Sequence, residues 1–168
     1  MSKLYIGIDN GVTGSIGMVM DDEEPYLSST PVRLQQDYTK KKKNINRLDP
    51  MEFRNIITIT GLLSDYSQKI AVIERPLVNP RMFHATMSAV RCMESQLCML
   101  EASGIPYMFI DSKQWQKELL PQGCKREELK KASLDIGIRL FPSLEDEIRK
   151  QKDADGLLIA EWARRHNL

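Results

Sequence analysis

The chain has 168 residues, 42% of them apolar and 28% charged, with a net charge of +1, which suits one soluble domain spanning 1–168 and leaves too little chain for two large lobes. It has no apolar run near the roughly 20 residues of a membrane helix, and residues 1–20 show no secretory cleavage site. Its three cysteines, Cys92, Cys98 and Cys124, are spaced unlike a zinc site or a disulfide framework, so the expectation is a protein with reduced thiols, cytoplasmic in a bacterial or phage setting or in an organelle or viral equivalent, and not secreted.

The first predicted strand, residues 3–9, is apolar until it ends in Asp9, and Gly11 and Gly14 follow at once. Glycines there allow a tight turn and a close approach to a phosphate or a metal. A second strand over 14–20 pairs with the first through this turn. Asp21, Asp22, Glu23 and Glu24 form an acidic turn before a third strand over 26–33. Residues 35–47 are polar, lack apolar periodicity and carry Lys40, Lys41, Lys42, Lys43 and Arg47. This segment is expected to be a loop or a frayed hairpin.

Asp49-Pro50 opens a helix, with Asp as the cap and Pro in the first turn. Phe53, Ile56, Ile57 and Leu63 give it an apolar stripe. The run Ile70–Ile73 is a second buried strand that ends in a carboxylate, Glu74, before Arg75-Pro76 stops it. A loop with Arg81 and His84 feeds a helix over 85–103 that Gly104 ends. Met87, Val90, Met93, Leu97 and Leu100 make an apolar arc on that helix, wide enough for core packing and for a dimer face. A strand at 105–110 and helices at 112–120, 125–141 and 154–165 complete the order. Lys125, Arg126, Lys130 and Lys131 suit a solvated face of the helix at 125–141. Three strands, helix, strand, helix, strand and then helices predict an α/β domain, a mixed five-stranded sheet with helices on both faces.

Asp9 and Glu74 each end an apolar strand, and adjacent strand ends lie about 5 Å apart. Asp153 and Asp155 stand at the start of the last apolar helix. Separately, each has an ordinary explanation as a turn residue, a cap or half of an ion pair. Together they are hard oxygen donors suited to Mg²⁺ or Mn²⁺. Two such ions about 4 Å apart activate a water and stabilise a leaving oxygen in phosphodiester cleavage.

Ile6-Gly7-Ile8-Asp9-Asn10-Gly11 with Thr13-Gly14, the step Ile73-Glu74-Arg75-Pro76, and Ala154-Asp155-Gly156-Leu157-Leu158-Ile159-Ala160 resemble, in this order, the RuvC-like Holliday junction resolvases of the ribonuclease H-like superfamily. Trp115, Leu119-Leu120 and Phe141-Pro142 are similar to the phage, bacterial and plastid branch. The resemblance implies a homodimeric, Mg²⁺-dependent nuclease with two ions per site. It would nick four-way DNA junctions in two strands of like polarity, leaving 5′-phosphates. By position, Asp9, Glu74 and Asp155 match the family's acids. The further acid expected three or four residues before the last one is replaced by Lys152 and Gln151, and the nearest is Asp153. Residues two apart on a helix diverge, so Asp153 can join the site only from non-helical backbone. Phosphate contacts are expected from Lys40–Lys43 and Arg47, and from Arg75, Arg81 and His84 beside the second acid.

Three other readings stay open. A resolvase-like fold could recognise branched DNA without cutting it. Related nucleases act on other branched DNA or RNA/DNA hybrids with the same two-ion chemistry. Asp9-x-Gly11-x-Thr13-Gly14 also resembles the first phosphate loop of the actin and sugar-kinase phosphotransferases, which need a second lobe to enclose ATP.

Overall fold

The computed structural model describes residues 3–21, 23–40, 42–59 and 68–168, so Asp22, Lys41 and Leu63 lie outside the described residues. The main sheet contains β1 (Lys3–Ile8), β2 (Ser15–Met20), β3 (Tyr26–Ser29), β6 (Gln68–Glu74) and β7 (Tyr107–Ile110), in the order β3-β2-β1-β6-β7. β1 pairs antiparallel with β2 and parallel with β6, and β6 pairs parallel with β7. The sheet is mixed and five-stranded, as the element order predicts. Residues 26–33 form two strands rather than one. β3 ends at Ser29, and past Thr30-Pro31 the chain enters β4 (Val32–Gln36), which pairs with β5 (Asn44–Leu48) in a separate hairpin. The basic segment is therefore a hairpin and not a loop.

The two faces of the sheet are covered by different helices. Leu4, Ile6, Ile8 and Ile73 point to the side of α1 (Pro50–Ile59) and α2 (Phe83–Ala102), packing with Phe53, Ile57, Cys92 and Leu100. Asp49 caps α1, its Oδ1 accepting from the amides of Met51 and Glu52 at 3.1 and 3.2 Å. On the other face lie α3 (Ser112–Leu119), α4 (Leu129–Leu140), α5 (Glu145–Gln151) and α6 (Asp155–Arg165), packed around Tyr5, Val19 and Val72. α5 is the element the sequence pattern does not announce. It is short and polar, with only Ile148 buried.

α6 is buried on nearly all sides, with Leu157, Leu158, Ile159 and Ala160 fully enclosed. Each large apolar side chain so buried contributes about 1.5–3 kcal/mol. The helix sits directly on the sheet because the strands beneath it carry no side chains there. A Cβ on Gly7 would overlap the Gly156 carbonyl oxygen, and one on Gly17 would overlap the Leu157 nitrogen. Among the described residues no helix is long and apolar enough to cross a membrane.

Candidate metal centre

Asp9 follows β1 directly, and the turn after it is closed by backbone bonds from Asp9 N to Ser15 O (3.0 Å) and from Gly14 N to Gly11 O (3.1 Å). Gly14 is packed so closely that a Cβ there would overlap the Asp9 carbonyl oxygen. Ile8 stands opposite Ile73 in the parallel ladder, so Asp9 and Glu74 occupy neighbouring strand ends. Strand alternation turns both toward the α6 face, opposite to Ile8 and Ile73.

The third and fourth acids arrive from the α5–α6 connection. α5 ends at Gln151, and Lys152 after it takes the left-handed conformation (φ 72°). Asp153 and Ala154 are non-helical, and α6 begins at Asp155. That is the condition under which acids two positions apart can converge. Carboxylate oxygens of Asp9, Asp153 and Asp155 lie within 4.8 Å of one another. Ser133 on α4 locks the connection: its hydroxyl donates to Asp155 Oδ1 at 2.5 Å and accepts from the Ala154 amide at 3.0 Å. Ser15 on β2 accepts from the Gly156 amide at 3.1 Å.

Glu74 lies outside that three-aspartate group. Its Oε2 accepts from the Trp115 indole N–H at 2.7 Å. A buried indole needs an acceptor, which gives Trp115 the role that its spacing on α3 does not reveal.

Burial and mutual repulsion set the electrostatics. Desolvation, then the charges of Asp155, Glu74 and Asp153, push the Asp9 carboxyl well above its ordinary range. Asp155 is raised to about 7, first by desolvation and then by Asp153, with the Ser133 hydroxyl opposing. Desolvation raises Asp153 and Glu74 as well. Lys130, solvent-exposed as expected for this helix face, also places its ammonium 3.9 Å from Asp153 Oδ2. Its side chain is 81% exposed, and an ion pair so wet neutralises little. Clustered oxygen donors with raised pKa values suit a small divalent cation, which removes the repulsion that burial amplifies.

No protein-family model and no curated protein matches this chain. Solved structures do. Thermus thermophilus RuvC in complex with a Holliday junction substrate superposes with a TM-score of 0.56 at 14% identity, over 99% of this chain and 96% of that one. Another structure of T. thermophilus RuvC gives a TM-score of 0.51 at 14% identity, over 99% and 97%. The fold is that of RuvC.

On this RuvC-like fold the basic residues fall into two groups. Lys40, Lys42 and Lys43 are exposed at the β4–β5 tip, Lys43 lying 3.6 Å from Asp37. Arg47 lies on β5 and donates to Gln35 Oε1 at 3.0 Å; Lys41 lies outside the described residues. Arg75 follows Glu74 and is held by Asp111 at 3.0 Å, with its guanidinium over the Phe109 ring. Arg81, in the short turn Pro80–Met82 before α2, and His84, in the first turn of α2, are exposed. Arg75 and Glu74 share a cleft of about 280 Å³ with Asn10. Lys43 and His84 line a second groove, between the hairpin and α2. A cavity of about 620 Å³ lies at the far end of the strands, lined by Lys3, Gln68 and Gly104, away from the carboxylates.

Proposed function

We propose that this protein is a metal-dependent endonuclease that cuts four-way DNA junctions. The observation that carries the reading is the meeting of Asp9, Asp153 and Asp155 at the end of β1, on a fold shared with RuvC. T. thermophilus RuvC has been solved with a Holliday junction substrate.

In this reading Asp9, Asp153 and Asp155 hold Mg²⁺ or Mn²⁺, and Glu74, oriented by Trp115, completes the set for two ions. Residues in this arrangement would hold ions whose chemistry, when bound, is activation of a water and stabilisation of a departing 3′ oxygen. Ser133 and Ser15 position the start of α6 and with it Asp155. Arg75, Arg81, His84 and the hairpin residues Lys40, Lys42, Lys43 and Arg47, together with Lys41, neutralise phosphates of the junction arms. A four-way junction offers two symmetric cut sites, and a homodimer supplies two centres.

Four-way junction, flap, linear duplex and RNA/DNA hybrid substrates, each with Mg²⁺ and with EDTA, test the reading. The expected result is paired nicking of the junction in Mg²⁺ alone, abolished in Asp9→Asn while junction binding persists. A hybrid or a flap as the preferred substrate would move the activity to another nuclease class. Wild-type cutting by Asp9→Asn would remove the centre from the mechanism.

A further inference from the structure

The tip of the β4–β5 hairpin and the first turns of α2 enclose a groove of about 430 Å³, within the size range of sites that take small organic groups. Its walls carry large apolar side chains in unusually open positions: Tyr38 on the hairpin is 59% exposed, and Phe83 and Met87 on α2 are 62% and 41% exposed. The Arg91 guanidinium lies over the Tyr38 ring, 5.2 Å from its centroid, which holds the ring against α2. Lys43 and His84 line the same groove, and exposed Lys40 and Lys42 stand beside it on the tip. The acid at the groove, Asp37, is neutralised by Lys43. The groove also borders the turn that follows Asp9. Val12, three residues past Asp9, lines it, and Asn10 Nδ2 donates to the Ala89 carbonyl at 3.2 Å, tying the Asp9 turn to α2.

Aromatic faces beside a row of cations are what an unstacked base with its sugar–phosphate requires. Stacking takes any base, and the cations take the backbone. A base inside a duplex cannot enter such a groove, because both of its faces are covered by its neighbours. Lysines alone would serve for a duplex backbone, and the rings would then have no function.

We infer that this groove takes an unpaired nucleobase from a branch point while a nearby phosphate of the same nucleic acid lies at the metal centre. The inference rests on the nuclease reading and specifies what that reading leaves open: the substrate must offer an unstacked nucleotide.

The test uses the full-length protein in Ca²⁺, with four-way junctions carrying 2-aminopurine at single positions beside the branch and a linear duplex of the same sequence. Wild-type protein is expected to quench 2-aminopurine at one of these positions. Tyr38→Ala should lose that quenching and bind the junction roughly 10-fold more weakly, with less than a twofold change on the duplex, and Tyr38→Phe should restore both. Circular dichroism and the Mn²⁺-induced thermal shift check that the variants are folded with an intact centre. Unchanged junction affinity in Tyr38→Ala overturns the inference, as does an equal loss on duplex, or a change in oligomeric state in place of a change in binding. If wild-type protein cuts the junction without any 2-aminopurine response, the groove fails and the nuclease reading stands. If it neither binds nor cuts branched DNA, both fall.

Discussion

The end of β1 and the tip of the β4–β5 hairpin are built in opposite ways. The first is packed from both sides. Asp9 ends a strand bonded to neighbours on each edge, α6 rests on bare backbone, and Asp153 is 5% exposed. The second is a two-stranded ribbon, a unit only marginally stable alone. It is anchored by Leu48, buried against α1 and α2, by the Asp49–Pro31 backbone bond at 2.9 Å, and by the Arg91–Tyr38 contact. Charges that must be placed to within a few tenths of an ångström sit on the packed end. On the proposed reading, charges that need only lie near a phosphate sit on the ribbon. The contrast would then separate two demands on a nuclease, since chemistry needs rigid donors and substrate contact tolerates give.

The sharpest way to break this contrast is Gly7→Ala. The added methyl would overlap the Gly156 carbonyl, and neither backbone has a side chain that could yield. The expected cost is about 1–3 kcal/mol, or roughly 2–12 °C in Tm, with weaker Mn²⁺ binding as α6 lifts away. An unchanged Tm would mean that the helix seat is slack.

The next effect is electrostatic. Asp155 has a folded pKa of about 7 against an ordinary 3.8. A carboxyl raised in the folded state stabilises fully below its unfolded value, and that stability is lost as pH rises toward the folded value. In EDTA, wild type should therefore lose stability between pH 4 and 7, on the order of a few kcal/mol, relative to Asp155→Asn. Mg²⁺ or Mn²⁺ should reverse the loss at pH 8. Parallel pH profiles for the two proteins would show that burial and neighbouring charges do not raise the Asp155 carboxyl.

The smallest effect on the fold belongs to the ribbon. Replacing Lys40–Lys43 with Ala should change stability by no more than about 0.5 kcal/mol. It should still weaken junction binding and lower the salt dependence of log K by about 0.9 for each phosphate that is no longer neutralised. An unaltered salt slope would leave these lysines as bystanders.

Much of the packed end is legible in the sequence, because its strands are apolar runs that stop at a carboxylate. Asp9 and Glu74 announce themselves in this way, and Asp49-Pro50 marks α1. The ribbon is legible only in part, as one of two alternatives, a loop or a frayed hairpin. β4 and β5 pair largely through polar residues such as Gln35, Gln36, Asn44 and Asn46, so little apolar alternation marks them. Ser133, Trp115 and Lys130 are invisible, because each acts on an acid far away in the chain. Asp153 is the intermediate case. Its spacing from Asp155 argues against a shared site, and the left-handed backbone at Lys152, which no residue type dictates, brings the two together.

The parallel ladder between β1 and β6 has a consequence beyond holding the sheet together. It works as a ruler: Ile8 opposite Ile73 fixes how far each chain runs before its acid appears. A slip of one residue in either strand would turn its carboxylate through to the α2 side and bring an isoleucine in its place. Misalignment would thus abolish the cluster of acids outright instead of weakening it by degrees.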